Sequence, residues 1–173
     1  MAYILKWIMK FTRKTDYALR AMQNMARRYY HARSEGVTPK PVPVLSIAND
    51  TGLSIRFLHG IVARLSKSGL LKTVPGPKGG ITLSRSPEAI SILDIVESVE
   101  GKINLMDCFE HPENCRDANH CSIMSVLHTA QNALATNLRN TNLKLMVKAK
   151  NDPFHTLPEK HFLKPQFGCP VLK

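Results

Sequence analysis

Residues 45–65 read LSIANDTGLSIRFLHGIVARL. The spacing predicts two short helices joined by a sharp reversal. Gly52 suits the place where the first must stop, since glycine takes a left-handed backbone at little cost. Ser54 then offers a side-chain oxygen to the free amides that open the second helix. There Ile55, Leu58, Ile61, Val62 and Leu65 recur at three- and four-residue steps and form one apolar stripe. Ile47, Ala48, Leu53, Leu58 and Ile61 would pin the two helices together. This is a helix-turn-helix pattern, shared by many helical hairpins, so the flanks must decide the fold.

Upstream, residues 12–36 place Ala18, Met22, Met25 and Tyr29 at helical spacing, with Thr12 or Thr15 as cap and Gly36 as stop. Residues 37–44, VTPKPVPV, hold three prolines in eight residues and read as an extended connector. Downstream, Gly69 ends the second helix of the pair. LLKTV and ITLS follow, separated by PGPKGG, a two-stranded hairpin with a Gly/Pro loop. SILDIVESVEG is a capped helix: Ser91 is the N-cap, Asp94 sits at its third position, Ile90 and Ile95 form a staple, and Gly101 stops it. Another helical pattern runs from about Ser122 to Lys148, with Ile123, Leu127, Ala130, Leu134, Leu138, Thr141 and Leu145 in step. From Asn151 onward there are four prolines and no period, which reads as a poorly ordered tail. Three helices followed by a hairpin make a winged helix-turn-helix. The expected fold is mostly α, with a small β-hairpin wing and a long C-terminal helix.

The charge fits a polyanionic partner. The chain has 173 residues and a net charge of +11, from 24 Lys+Arg and 13 Asp+Glu. Between Asp50 and Glu88 there is no acidic residue, while Arg56, Arg64, Lys67, Lys72, Lys78 and Arg85 all lie there. A solvated surface run would more often mix signs. The basic window covers the second helix and the wing, the parts that would meet double-stranded DNA. Arg56 is placed to pair with a guanine edge or a phosphate, and Lys78 to meet a minor groove or phosphate.

The segment CFEHPENCRDANHC, residues 108–121, carries three of the four cysteines. The start, MAYILKWI, is too short to span a bilayer, which takes ~20 apolar residues, and has no basic leader. The cysteines form no secreted disulfide framework, so the expectation is a cytoplasmic protein with reduced thiols and no membrane partner. The spacing C-x6-C-x5-C matches neither ferredoxin runs nor the C-x2-C pairs of most zinc sites. From the residues alone, an iron–sulfur cluster, zinc, and a thiol or disulfide switch all remain open. No Ser-His-Asp order, phosphate loop or H-E-x-x-H motif supports an enzyme.

Taken together, MKFTRKTDYALRAM, residues 45–71, GPKGGITLSRSPEAISILDIVESVEG and the spaced cysteines resemble the IscR/NsrR-type (Rrf-two) winged-helix regulators. The likeness runs from Met9 to about Lys148. It implies a homodimeric DNA-binding transcriptional regulator, paired through the helix after Cys121. It implies an iron–sulfur cluster on Cys108, Cys115 and Cys121, 4Fe–4S rather than 2Fe–2S, responding to nitric oxide, oxygen or cluster status. In one branch the fourth ligand is a His three residues after the last Cys; here that place is Met124. In the nitric-oxide-sensing branch it is an Asp from the other subunit, and Asp16 occupies that place. An Asp in a helix's first turn is otherwise an ordinary dipole partner. His111, His120 and His128 are rival ligands, and Cys169 is expected to be free. Two departures bear on the operator: Pro75 stands where a relative has Arg, and His59 where it has an operator-discriminating Glu. Window and likeness together nominate Ser54, Arg56, His59, Arg64, Lys67, Lys78 and Arg85 as DNA contacts. The expected organisation is an N-terminal extension (1–8), a winged helix-turn-helix domain (9–101), a cysteine cluster loop (102–121), a dimerisation helix (122–150) and a disordered tail (151–173).

Overall fold

A computed structural model describes residues 11–109, 111, 113 and 121–148. The expectations for residues 1–8 and 151–173, and for Cys115, His120 and Cys169, lie outside the described residues.

Helix α1 (Arg13–Ser34) is the spine of the fold. Thr12 caps it, its side chain accepting from the Lys14 amide at 3.1 Å. Thr15, the other candidate cap, is instead buried, and its hydroxyl donates to Glu100 at 2.6 Å. Ala18, Ala21, Met22, Met25 and Ala26 face the core. The proline connector is extended as expected. It is also used: Val42 and Ile81 exchange two backbone hydrogen bonds of 2.9 Å, fastening the connector to the wing.

Helix α2 (Val44–Thr51) ends at Gly52 in the left-handed conformation, and α3 (Ile55–Lys67) follows. Ser54 holds the N-cap position of α3 but makes no side-chain cap bond. Leu58, Ile61, Val62 and Leu65 are buried as the stripe predicts, while Ile55, its first member, is exposed at the start of the helix. The wing is the antiparallel pair β1 (Leu71–Val74) and β2 (Gly80–Leu83), in register from Leu71↔Leu83 to Val74↔Gly80. Helix α4 (Ile92–Glu100) begins with a reciprocal cap, Ser91 and Asp94 exchanging two bonds of 3.1 Å. Ile90 and Ile95 are both fully buried.

The long C-terminal helix is not continuous. It divides into α5 (Ser122–Asn140) and α6 (Leu143–Lys148). Thr141 is extended, and the Asn142 carbonyl side chain accepts from the Leu145 amide at 3.2 Å. The break lets the chain bond back to the start of α4: Ile92 N–H to Thr141 O, and Leu143 N–H to Ile90 O, both 2.8 Å. It also sends Leu143 into the core with no exposed surface, a burial that stabilises by ~1.5–3 kcal/mol. The Gln23 side chain then ties α1 to the Met146 carbonyl at 2.9 Å. The outcome is a mostly helical winged helix-turn-helix domain with a two-stranded hairpin.

Candidate nucleic-acid interface and cysteine cleft

With four α3 side chains facing inward, Arg56, His59, Gly60, Ala63 and Lys67 remain on its outer, exposed face. Ser54 is exposed at the helix entrance, and Lys78 is exposed in the wing turn. Phe57 packs edge-on against Tyr17 with ring centroids 5.1 Å apart, holding α3 to α1. The Arg28 guanidinium is shared by Ser46, at 2.7 Å, and Asp50, bracing α2 against α1. That hydrogen bond, with a second from Asn24, holds the Asp50 carboxyl below its usual range. The acidic residue that precedes the basic window is therefore already engaged.

Two nominated contacts sit differently. Arg64 points along the flank of α3, its head 3.5 Å from the Val99 carbonyl near the end of α4. Arg85, at the base of the wing, lies 3.7 Å from Asp94. Ser54, Arg56, His59 and Lys67 thus share one surface and Lys78 sits at the wing tip, while Arg64 and Arg85 face α4. An array of cations on one helix face beside a basic turn is suited to phosphates and base edges.

Cys108 lies in a short 3-10 turn (Asp107–Phe109) and Cys121 at the N-cap of α5. Both are free and half-buried. They line one cleft of about 760 Å³ with Phe109, Met124, His128 and Gln131. The Leu105 amide donates to Gln131 Oε1 at 2.8 Å, tying the start of the loop to α5. Phe109 meets His128 edge-on at 5.8 Å, and His128 Nδ1 is 3.1 Å from Asn132 Nδ2. Gln131 was not readable as a loop anchor, because its partner is 26 residues away. His111 pairs with Glu113 at 3.1 Å, both exposed, and does not line the cleft. Asp16 is exposed on α1, where Arg20 Nε donates to it at 2.9 Å, and it does not line its own chain's cleft. Among the described residues no three His, Cys, Asp or Glu side chains converge as a metal site. What the cleft does hold is two soft sulfur donors on a wall of mixed polar and apolar side chains.

No helix among the described residues is long and apolar enough to cross a membrane. Residues 11–149 match the family described as Rrf2: Iron-dependent Transcriptional regulator. The HTH-type transcriptional regulator NsrR of Shouchella clausii (strain KSM-K16) is 31% identical over 145 residues, covering 83% of this chain and 92% of that protein. Among solved structures, IscR of T. potens is similar with a TM-score of 0.63 and 26% identity, over 89% of this chain and 97% of that one. The oxidized form of Staphylococcus aureus CymR is similar with a TM-score of 0.58 and 27% identity, over 80% of this chain and 96% of that one.

Proposed function

This chain belongs to the Rrf2 family of transcriptional regulators, and from that premise we propose that it is a homodimer whose hold on a double-stranded DNA operator is set by an iron–sulfur cluster. As a member of that family it is a regulator and not an enzyme. One observation carries the cluster reading: Cys108 and Cys121 line the same cleft as free thiols. Thiolates are the soft donors that iron–sulfur clusters take, so the donor set fits. Cys115 would be the third ligand, and the partner subunit's Asp16 the fourth, with 4Fe–4S the preferred type. When bound, the cluster supplies a centre open to attack by nitric oxide or oxygen.

The chain's own residues do the rest. The Leu105–Gln131 bond and the Phe109–His128 contact tie the cleft to α5. The outward apolar residues of α5 would pair the protomers. A change at the cleft would then alter the separation of the two α3 helices, and the operator would favour the state whose spacing matches its half-sites. Such a regulator works in the cytoplasm, where thiols stay reduced.

The test is anaerobic purification, with iron, sulfide and zinc analysis and operator affinity before and after nitric oxide. The expected result is a brown protein with stoichiometric iron and sulfide, losing its chromophore in Cys108→Ala, Cys115→Ala and Cys121→Ala and changing affinity on nitric oxide. The likeness to CymR, which is known in an oxidized form, favours a second reading: a cluster-free regulator with zinc or a thiol switch at the same cysteines. Stoichiometric zinc without iron or sulfide, or affinity that follows thiol oxidation in metal-free protein, would establish that reading instead.

A further inference from the structure

Gly60 stands in the middle of α3, on its outer face. The other described glycines are accounted for by the backbone. Gly36, Gly52, Gly69, Gly76, Gly80 and Gly101 take positive φ angles, and at Gly79 a Cβ would overlap the Val74 carbonyl oxygen. Gly60 has neither reason. Its backbone is helical, and a Cβ built on it meets nothing within 4 Å. Glycine weakens a helix interior because it gives up the most chain entropy, and alanine is the best replacement. The fold has room for alanine here and would gain from it. Nothing within the chain therefore calls for glycine here, and the exposed face is where a reason for it can lie.

Ala63 lies nearly one turn on and extends the bare strip. Arg56, His59 and Lys67 border it, all exposed. The outer face of α3 is thus a shallow apolar notch set among cationic and hydrogen-bonding side chains. Resting on the DNA-binding reading above, we propose that the Gly60–Ala63 notch is a specificity determinant that seats the C5-methyl of a thymine in the operator's major groove. The major groove shows nitrogen and oxygen donors and acceptors on every base pair, and its one apolar group is that methyl. A notch with no polar side chain of its own suits the methyl and leaves guanine edges to Arg56. The missing Cβ lets the helix backbone approach the base closely, as glycine does where backbone and ligand must meet.

The test uses the full chain and an operator recovered by in vitro selection. Affinity is measured for wild type, Gly60→Ala and Arg56→Ala. The duplexes carry each thymine in turn as deoxyuridine, which removes only the methyl. At one or two positions wild type should weaken about fourfold, the worth of one buried methyl. Gly60→Ala should bind the thymine operator about tenfold more weakly and prefer deoxyuridine at those same positions. Its affinity for random duplex should not change, and its melting temperature should rise by about 2–4 °C. If Gly60→Ala holds the operator as tightly as wild type while Arg56→Ala loses it, this inference is wrong and the DNA reading stands. If wild type prefers no sequence over random duplex, the DNA reading falls and takes the inference with it.

Discussion

Lys67 and Lys78 make no ion pair among the described residues, whereas Arg85 faces Asp94 at 3.7 Å. Each lysine that meets phosphate should release about one counterion, so Lys67→Ala and Lys78→Ala should each lower the salt slope of binding by about one. Arg85→Ala should leave that slope unchanged in fluorescence titrations from 50 to 200 mM salt. Equal slopes for all three variants would overturn this division. In the sequence the three cations look alike, because Asp94 lies beyond the acid-free window and reaches Arg85 only through folding. Glu88 is a second case. It accepts from the Tyr30 hydroxyl at 2.7 Å and pairs with Lys144 at 3.2 Å. The tyrosine hydrogen bond first, then the backbone and Lys144, hold its carboxyl down to about 2, from an ordinary 4.5. A carboxyl depressed by folding contributes stability above its unfolded value, and that stability is lost as the pH falls toward the folded value. Urea denaturation should therefore show wild type weakening between pH 4.5 and about 2. Glu88→Gln should be less stable at pH 7 and flatter across that window.

Among the described α-helices, α5 is the one left without a buried residue. Ile123 is 64% exposed and Val126 68%, while Leu138 already packs on the core of its own chain. Val126→Asp should thus give a monomer by light scattering, with unchanged helix content and weaker operator binding from loss of the second half-site. A dimer in that variant would sink the assignment of α5 as the pairing helix. The break before α6 escaped the sequence reading for a physical reason. Leu138, Thr141 and Leu145 keep a helical step across it, so periodicity alone cannot see the gap. The local signal was the Asn140-Thr141-Asn142 run, polar residues that favour caps and extended backbone over helix interior. The boundaries that were legible all rest on such local chemistry: Gly52 and Gly69 as left-handed stops, and Ser91 with Asp94 as a reciprocal cap. The cleft was legible only as cysteines in the sequence, of which Cys108 and Cys121 line it. Which walls it has depends on Gln131 and His128, far along the chain.

For the molecule as a whole, the order of helices and hairpin followed from local signals, and the way the ends close did not. Residues 90–92 and 141–143 bond to each other. Between those two ends, α4 lies in the core with Ile92, Leu93, Ile95, Val96 and Val99 buried, while α5 carries no buried residue. The C-terminal end of α5 is thus buckled to the start of α4 and cannot swing like a free arm. On the proposed function, a change at the cysteine cleft would tilt α5 about that buckle. The buckle lies on the stretch that leads from the wing into α4, so such a tilt would reach the DNA-facing half of the chain without a second domain.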